Sequence, residues 1–413
     1  MQIKRAHVIR LKPNREQESY FRRACGVRRF VFNWALNQWE AWRTLYEKTP
    51  GRPRRPGWMK LDKYFNSIKD GVCPWVREVS AHIPARAIRN ADDAYQMWFK
   101  AMQRADTQWG RPRRAKHGVN ERFYVHNQQL RFGDGRVFIG KCGWVRCRED
   151  FRFPDAKILG GSIRQRADGW YLSVQCEFDV DDPVEHAGAP VGIDAGVTKN
   201  FTLSDGTVLH LPRERMQELE RKIKRAQRVA SRRWAGKPKK GHEAKALRNE
   251  DGKLLPKSNR FQKAQKRIAK LKLKQARIRQ HYLHLFSRQI VDNYSTICVE
   301  DLTLKNMTKS AKGDAENPGT NVRAKAGLNR EMLNVAIGEF RWMLDYKSAA
   351  TGAMVIAVDP AYTSQTCSQC GHVSAANRRS QSSFCCEACG FADNADVNAA
   401  RNILKQGTSV ESQ

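Results

Sequence analysis

Apolar and polar positions alternate with period two over residues 3–12, which predicts a strand. Behind Pro13, Asn14-Arg15-Glu16-Gln17 has the spacing of a capping box and predicts a helix to about Cys25, stopped at Gly26. A second helix is expected from Val27, Phe30, Val31, Trp34, Ala35, Trp39 and Trp42, a set dense enough to form a bundle core. Residues 50–58 read as a basic breaker. Pro84, Ile88, Ala91, Tyr95, Trp98 and Met102 then step by four and three, the stripe of one amphipathic helix with proline in its first turn. Residues 14–118 are therefore expected to be a helical domain.

From about residue 119 the period changes to two. Short runs with Phe123/Val125, Val137/Ile139, Val145/Cys147, Ile158, Ile163 and Tyr171/Ser173/Val174 are punctuated by the turn signals Gly133-Asp134-Gly135 and Ala167-Asp168-Gly169. This predicts a small barrel or sandwich over 119–183 that the N-terminal strand joins, with a linker over 179–190.

Charge adds what the pattern lacks. The 413 residues carry a formal net charge of +33, too large to be incidental, and a polyanion is the expected partner because basic residues that neutralise phosphates release counterions. Residues 211–290 hold 26 Lys/Arg against 6 Asp/Glu. Two apolar stripes lie inside that stretch, Met216, Leu219, Ile223 and Ala226, then Phe261, Ala264, Ile268, Leu271, Ile278, Tyr282 and Leu285. They predict an antiparallel helical hairpin, joined over 235–257, with one apolar seam and a basic exterior. Lys222, Lys224, Arg225, Lys266, Arg267 and Lys270 are its candidate phosphate contacts. No run of eighteen apolar residues exists and the start is charged, so a cytoplasmic, nucleoid-associated protein without membrane contact is expected.

Four of the eleven cysteines, Cys367, Cys370, Cys386 and Cys389, are spaced C-x2-C-x15-C-x2-C. Two such knuckles supply four thiolates, the closed tetrahedral set of a structural Zn2+. Cys385 is a neighbouring competitor, and the two-residue gap to Cys389 favours Cys386. The other thiols show no disulfide framework, in keeping with a reducing compartment.

Acids lie in or end three apolar runs, or open a helix. Val191-Gly192-Ile193-Asp194-Ala195-Gly196-Val197 is a buried strand carrying one acid, followed over Asn200 to Leu209 by a hairpin with an Asp-Gly turn, the way an RNase H-like sheet begins; Ser295 to Val299 lead to Glu300 and Asp301; Ala353 to Val358 lead to Asp359. Asp396 opens a terminal helix, where its charge also suits the dipole, with Asp393 as a rival. Three convergent carboxylates could hold two divalent ions about 3.5–4 Å apart, which clamp the attacking and leaving oxygens of a phosphodiester. Mg2+ suits such oxygen ligands.

The chain resembles the TnpB family, transposon-encoded RNA-guided nucleases related to type V CRISPR effectors. The resemblance rests on Arg10-Leu11-Lys12-Pro13 through Arg28-Arg29-Phe30-Val31-Phe32-Asn33-Trp34-Ala35-Leu36, on Gly192-Ile193-Asp194-Ala195-Gly196, on Val299-Glu300-Asp301-Leu302, on Gly327-Leu328-Asn329-Arg330, and on Tyr362-Thr363-Ser364-Gln365-Thr366-Cys367 through Asp396-Val397-Asn398-Ala399-Ala400. It implies a multidomain α+β fold. The parts would be an RNase H-like (RuvC) core over 187–360 and 392–404, a zinc ribbon over 361–391, a β-barrel wedge domain over 1–13 and 119–183, a helical recognition domain over 14–118, and a disordered tail over 405–413. The family's carboxylates fall on Asp194, Glu300 and Asp396, its thiolates on the four cysteines, and Arg330 and Gln365 join the candidate nucleic-acid contacts.

The expected function is therefore RNA-guided DNA cleavage by a protein that is monomeric on nucleic acid, with a guide RNA, a double-stranded target and an adjacent motif read near residues 60–66 and 80–86. Alternatives are a compact type V effector, a non-catalytic RNA-guided repressor and a DNA-binding transposon regulator. The repressor would be expected to lack the three acids.

Overall fold

Strand β1 (Gln2–Lys12) leads through Pro13 into helix α1 (Arg15–Lys48). The capping box forms: Asn14 Oδ1 accepts from the Gln17 amide at 2.8 Å, and Gln17 Oε1 accepts from the Asn14 amide at 3.0 Å. Gly26 does not stop the helix, contrary to the sequence expectation. Phe21, Ala24, Val27, Val31, Ala35 and Trp39 are buried along one continuous stripe, and their burial outweighs the roughly 1 kcal/mol that an internal glycine costs.

The computed structural model describes residues 2–48, 55–104, 110–180, 182–183, 186–235, 258–314 and 316–411. Most of the basic breaker, and the 236–257 join of the basic hairpin, lie outside the described residues. The chain forms two units, Met1–Asp181 and Asp182–Gln413.

In the first unit α2 (Trp58–Val72) and α3 (His82–Gln103) follow α1. Ile88, Ala91 and Tyr95 are buried as the α3 stripe requires, but in the last turn it is Ala101 that is buried and Met102 is 59% exposed. Then come β2 (Arg122–Val125), β3 (Leu130–Gly133), β4 (Arg136–Ile139), β5 (Gly143–Cys147), β6 (Lys157–Arg166) and β7 (Gly169–Asp179). The β3–β4 turn holds Asp134 and Gly135 at φ 48° and 65°, the double positive φ of a type I′ hairpin. The sheet order is β2-β6-β7-β1-β5-β4-β3, and every pairing is antiparallel. Helices and sheet share one hydrophobic core, in which Phe21 of α1 meets Trp170 of β7 at 5.2 Å and Phe123 of β2 at 5.6 Å between ring centroids.

The second unit is built on β8 (Ala189–Asp194), β9 (Phe201–Leu203), β10 (Val208–Leu209), β11 (Tyr294–Glu300) and β12 (Met354–Val358) in the order β10-β9-β8-β11-β12. Strands β8, β11 and β12 are parallel, β9 returns antiparallel to β8, and β9 and β10 form the expected hairpin around Asp205-Gly206. Between β10 and β11 run α4 (Arg213–Ala235) and α5 (Asn259–Asn293). Their seam is Ile223, Ala226, Ala230, Phe261, Ala264 and Ile268. Leu285 departs from the sequence reading at 51% exposure: the lower part of α5 turns Leu283, Phe286 and Ile290 to the sheet instead. Helices α6 (Leu304–Met307), α7 (Val322–Val335) and α8 (Ile337–Thr351) precede β12.

The chain closes with the small hairpin β13 (Ser383–Cys385) and β14 (Ala392–Asn394) and the helix α9 (Ala395–Glu411). Residues 405–411 thus continue α9 and are not the disordered tail expected from the sequence. The reason is close packing: a Cβ on Gly407 would lie 2.1 Å from Cys298 Sγ, and one on Gly192 would lie 2.0 Å from the Ala400 carbonyl. Only glycine at both points lets α9 lie directly on β8 and β11. No helix among the described residues is long and apolar enough to cross a membrane.

Candidate active site

The two faces of the central sheet are sorted by period two. Val191 and Ile193 of β8, and Ile297 and Val299 of β11, enter the core shared with α5 and α8. Gly192, Cys298 and their successors Asp194 and Glu300 therefore point to the α9 face. Cys298 pairs with Gly192 and Val299 with Ile193, so Asp194 and Glu300 come one rung later, side by side at the carboxyl ends of parallel strands. The chain leaves β8 toward β9 on one side while β11 enters on the other. This is a topological switch point, where open α/β sheets place their sites.

Asp396 arrives in the first turn of α9 on the same face. Burial pushes the Asp194 carboxyl up to about 7, and the charges of Glu300 and Asp396 push the same way, against Arg378 and Lys199. Two carboxylates close enough to raise a third define a shared anionic site. Burial also raises Glu300, opposed by the Thr363 hydroxyl, which donates to Glu300 Oε1 at 2.7 Å. Two cations answer the acids. Lys199 Nζ lies 3.5 Å and Arg378 Nη2 3.9 Å from the Asp396 carboxylate.

The rival acids are differently engaged. Asp301 is an exposed partner of Arg341 at 2.7 Å, and Asp393 is bound by Arg401 at 2.7 Å. Asp359 caps the Ala361 amide at 2.9 Å. Sequence reasoning missed Lys199, Arg378 and Thr363. Lys199 stands only five positions after Asp194, but nothing in a loop of mixed polar residues marks which cation turns inward.

The four cysteine sulfurs lie within 4.8 Å of one another, and among the described residues they are the only three or more His, Cys, Asp or Glu side chains so gathered. The three acids therefore edge a wider site. Cys367 and Cys389 are 3.7 Å apart, Cys370 and Cys386 3.6 Å, a spacing that four thiolates around one Zn2+ would keep. Cys385 sits on β13 outside the cluster. Asn398 and Asn402, one turn apart on α9, tie this module to the site: Asn398 Oδ1 accepts from the Ser368 amide at 2.9 Å, and both side-chain amides donate to the Thr366 carbonyl, at 2.8 and 2.7 Å.

The candidate nucleic-acid contacts are dispersed. Lys222, Lys224, Arg225, Lys266, Arg267 and Lys270 are exposed on α4 and α5. Lys222 is paired with Glu218, and Lys224 lies 2.9 Å from Glu220. Arg330 of α7 reaches the same Glu220 at 3.3 Å. Gln365 is apart from all of these, in the cysteine module, where its carbonyl accepts from Asn377 Nδ2 at 3.0 Å.

A mixed α/β core with acids at its strand ends and a four-cysteine module leading into the last acid defines the chain as a protein of the nuclease class. Residues 173–311, which include Asp194 and Glu300, match a family model described as "Probable transposase"; residues 338–403, which include the cysteines and Asp396, match "Cas12f1-like, TNB domain"; residues 1–48 match "Helix-turn-helix domain". The last segment contains one strand and one unbroken helix. The chain is 36% identical over 98% of its length, and 92% of the relative's, to "Putative RNA-guided DNA endonuclease InsQ" of Escherichia coli K12. It is 31% identical over 58% of its length, and half of the relative's, to "CRISPR-associated endodeoxyribonuclease Cas12f1" of Sulfoacidibacillus thermotolerans. Its fold is similar to the protein in a Cas12f1–sgRNA–target DNA complex, with a TM-score of 0.53 over 97% of this chain and 98% of that one, at 13% identity. The chain belongs to the TnpB family of RNA-guided DNA endonucleases.

Proposed function

We propose that this protein binds a transposon-derived guide RNA and cleaves double-stranded DNA beside a short adjacent motif, using a RuvC-like site formed by Asp194, Glu300 and Asp396. The observation that carries the reading is the juxtaposition of Asp194 and Glu300, each one residue past the paired Ile193 and Val299 at the switch point, with Asp396 on the covering helix, the charges of Glu300 and Asp396 both acting on Asp194. The donor set is entirely carboxylate oxygen, which suits Mg2+, whereas the four sulfurs suit Zn2+. Two Mg2+ ions bound there would supply charge stabilisation for the attacking and leaving oxygens of a phosphodiester.

The residues themselves do the rest. Asp194 and Glu300 are rigid because their strands are buried, and Thr363 orients Glu300 through its hydroxyl. Arg378 is carried by the cysteine module to the edge of the site, where a guanidinium can bind a phosphate oxygen. Asp396 depends on that module for its position, since Asn398 and Asn402 join α9 to it. The first unit is read as wedge and recognition domains, and the basic α4–α5 hairpin as a holder of RNA or heteroduplex backbone.

The test is to sequence RNA that copurifies with the protein, then challenge the complex with plasmids carrying the matching target beside randomised flanks, with and without Mg2+. One enriched RNA species and Mg2+-dependent cutting beside a fixed flank are expected. Cutting that ignores the RNA would sink the guided reading. No cutting despite guided binding would leave a repressor.

A further inference from the structure

Three arginines of the first unit line a cleft that contains no acid. Arg28 on α1, Arg86 on α3 and Arg122 at the start of β2 line one cleft of 190 Å³ together with Asn90, Tyr124 and Gln175. No Asp or Glu lines it. Glu121, whose charge acts on Arg28 from outside the cleft, is bound by other groups: Arg29 donates to its Oε1 at 2.8 Å, and the Gly118 amide to the same oxygen at 2.7 Å.

Two of the cationic groups stack on aromatic rings. Arg86 lies over the Tyr124 ring at 5.1 Å and Arg28 over Phe32 at 5.2 Å. Arg28 is half-buried, and its pKa is lowered by that burial and then by the charge of Arg122. Like charges brought together at the edge of a hydrophobic core destabilise the free protein, and an anion seated between them removes the repulsion. The size of the cleft limits the anion: 190 Å³ falls below the ~300–1,000 Å³ typical of whole-ligand pockets. It suits a single phosphate group more than a nucleoside.

We propose that Arg28, Arg86 and Arg122 form a seat for one phosphodiester of the bound nucleic acid, which anchors the first unit on a backbone without reading sequence. This rests on the guided-nuclease reading for its ligand. Asn90 and Gln175 offer amide donors to the same phosphate, and the guanidiniums supply forked, charge-assisted bonds.

The experiment uses the full chain and compares wild type with Arg28→Gln/Arg122→Gln, Arg86→Gln and the conservative Arg28→Lys. Affinity is measured against salt in two steps, guide RNA to protein and then target duplex to the RNA-loaded complex. Thermal midpoints identify any variant that fails to fold; Arg86→Gln, which changes one group at the cleft wall, then carries the test. In one of the two steps the glutamine variants should bind about 3- to 10-fold more weakly at about 0.15 M salt, with a salt slope shallower by about one. Loss in the first step assigns the phosphate to RNA, and loss in the second alone assigns it to DNA. Arg28→Lys should restore the slope while leaving part of the affinity loss, because the charge returns without the fork. Unchanged affinity and slope in both steps would overturn the seat. If wild type needed no RNA to bind duplex, the guided reading would fail instead, and the seat would be judged on the slope of direct duplex binding.

Discussion

Asp194 and Glu300 each stand one residue past the paired Ile193 and Val299, at the ends of neighbouring parallel strands. Their positions are thus set by strands, each also paired on its far side, Asp194 with Thr202 and Glu300 with Val358, and not by loop conformation. Alanine at Asp194, Glu300 or Asp396 should abolish cleavage, while guided DNA binding persists because the basic surfaces are untouched. Cleavage assays paired with binding measurements check this. Substantial Mg2+-dependent cutting by Asp194→Ala would remove the assignment.

The same crowding has a cost in the metal-free protein. Asp194 titrates near 7 in the folded state because of burial and then its acidic neighbours, against about 4 in an unfolded chain. A raised carboxyl contributes stability that is present below the unfolded value and is lost as pH rises through the folded one. The ionised form therefore costs on the order of 4 kcal/mol at about pH 8. Asp194→Asn should raise the thermal midpoint of chelator-treated protein, and the gain should grow between about pH 5 and about pH 8. A gain that shrinks over this range would contradict the shared anionic site.

Much of this was legible in the sequence. The buried apolar run that carries Asp194 and the C-x2-C spacing each point to a strand or a ligand geometry, and the capping box at Asn14 forms as its spacing requires. What escaped was decided by distant packing. Gly26 looks like a stop, but the buried stripe from Phe21 to Trp39 carries the helix through it. The segment after Leu404 is short and polar, yet Gly407 seats it against Cys298. Arg378 and Lys199 are two among 75 basic residues, and only the fold selects them.

Gly192 tests the dependence of the site on close packing. A methyl group there would meet the Ala400 carbonyl at 2.0 Å and the Leu404 amide at 2.7 Å, both backbone atoms that cannot rotate away. Gly192→Ala should push α9 off the sheet, cost about 1–3 kcal/mol in stability, and reduce cleavage far more than DNA binding, since it carries Asp396 with it. An alanine variant with wild-type midpoint and rate would show that α9 lies looser on the sheet than these distances allow.

The cysteine module should act on the same helix from the other end. Replacing Cys367 and Cys370 by Ser removes two of four thiolates, and because binding energy at such a site is folding energy, the module should lose Zn2+ and its order. The Thr366 carbonyl and Ser368 amide would then no longer hold Asn398 and Asn402. Cleavage should fall through misplacement of Asp396. Metal analysis of active wild-type protein should find about one zinc per chain, and its absence would rule out the structural zinc.

Neutralising Lys222, Lys224, Arg225, Lys266, Arg267 and Lys270 probes the α4–α5 hairpin. All six are exposed, and only Lys222 and Lys224 among them have acidic partners on their own helix, Glu218 and Glu220. None of the six belongs to the buried seam of Ile223, Ala226, Phe261, Ala264 and Ile268, so the fold should survive. Phosphate contacts position a backbone and carry no sequence information. Binding of guide RNA or heteroduplex should therefore weaken alike for every guide and the salt dependence should become shallower, without a change in the preferred flanking motif. Titrations over a salt series with two unrelated guides measure all three quantities. Wild-type affinity at about 0.15 M salt would make this hairpin a solvated face, and the excess charge would need another partner.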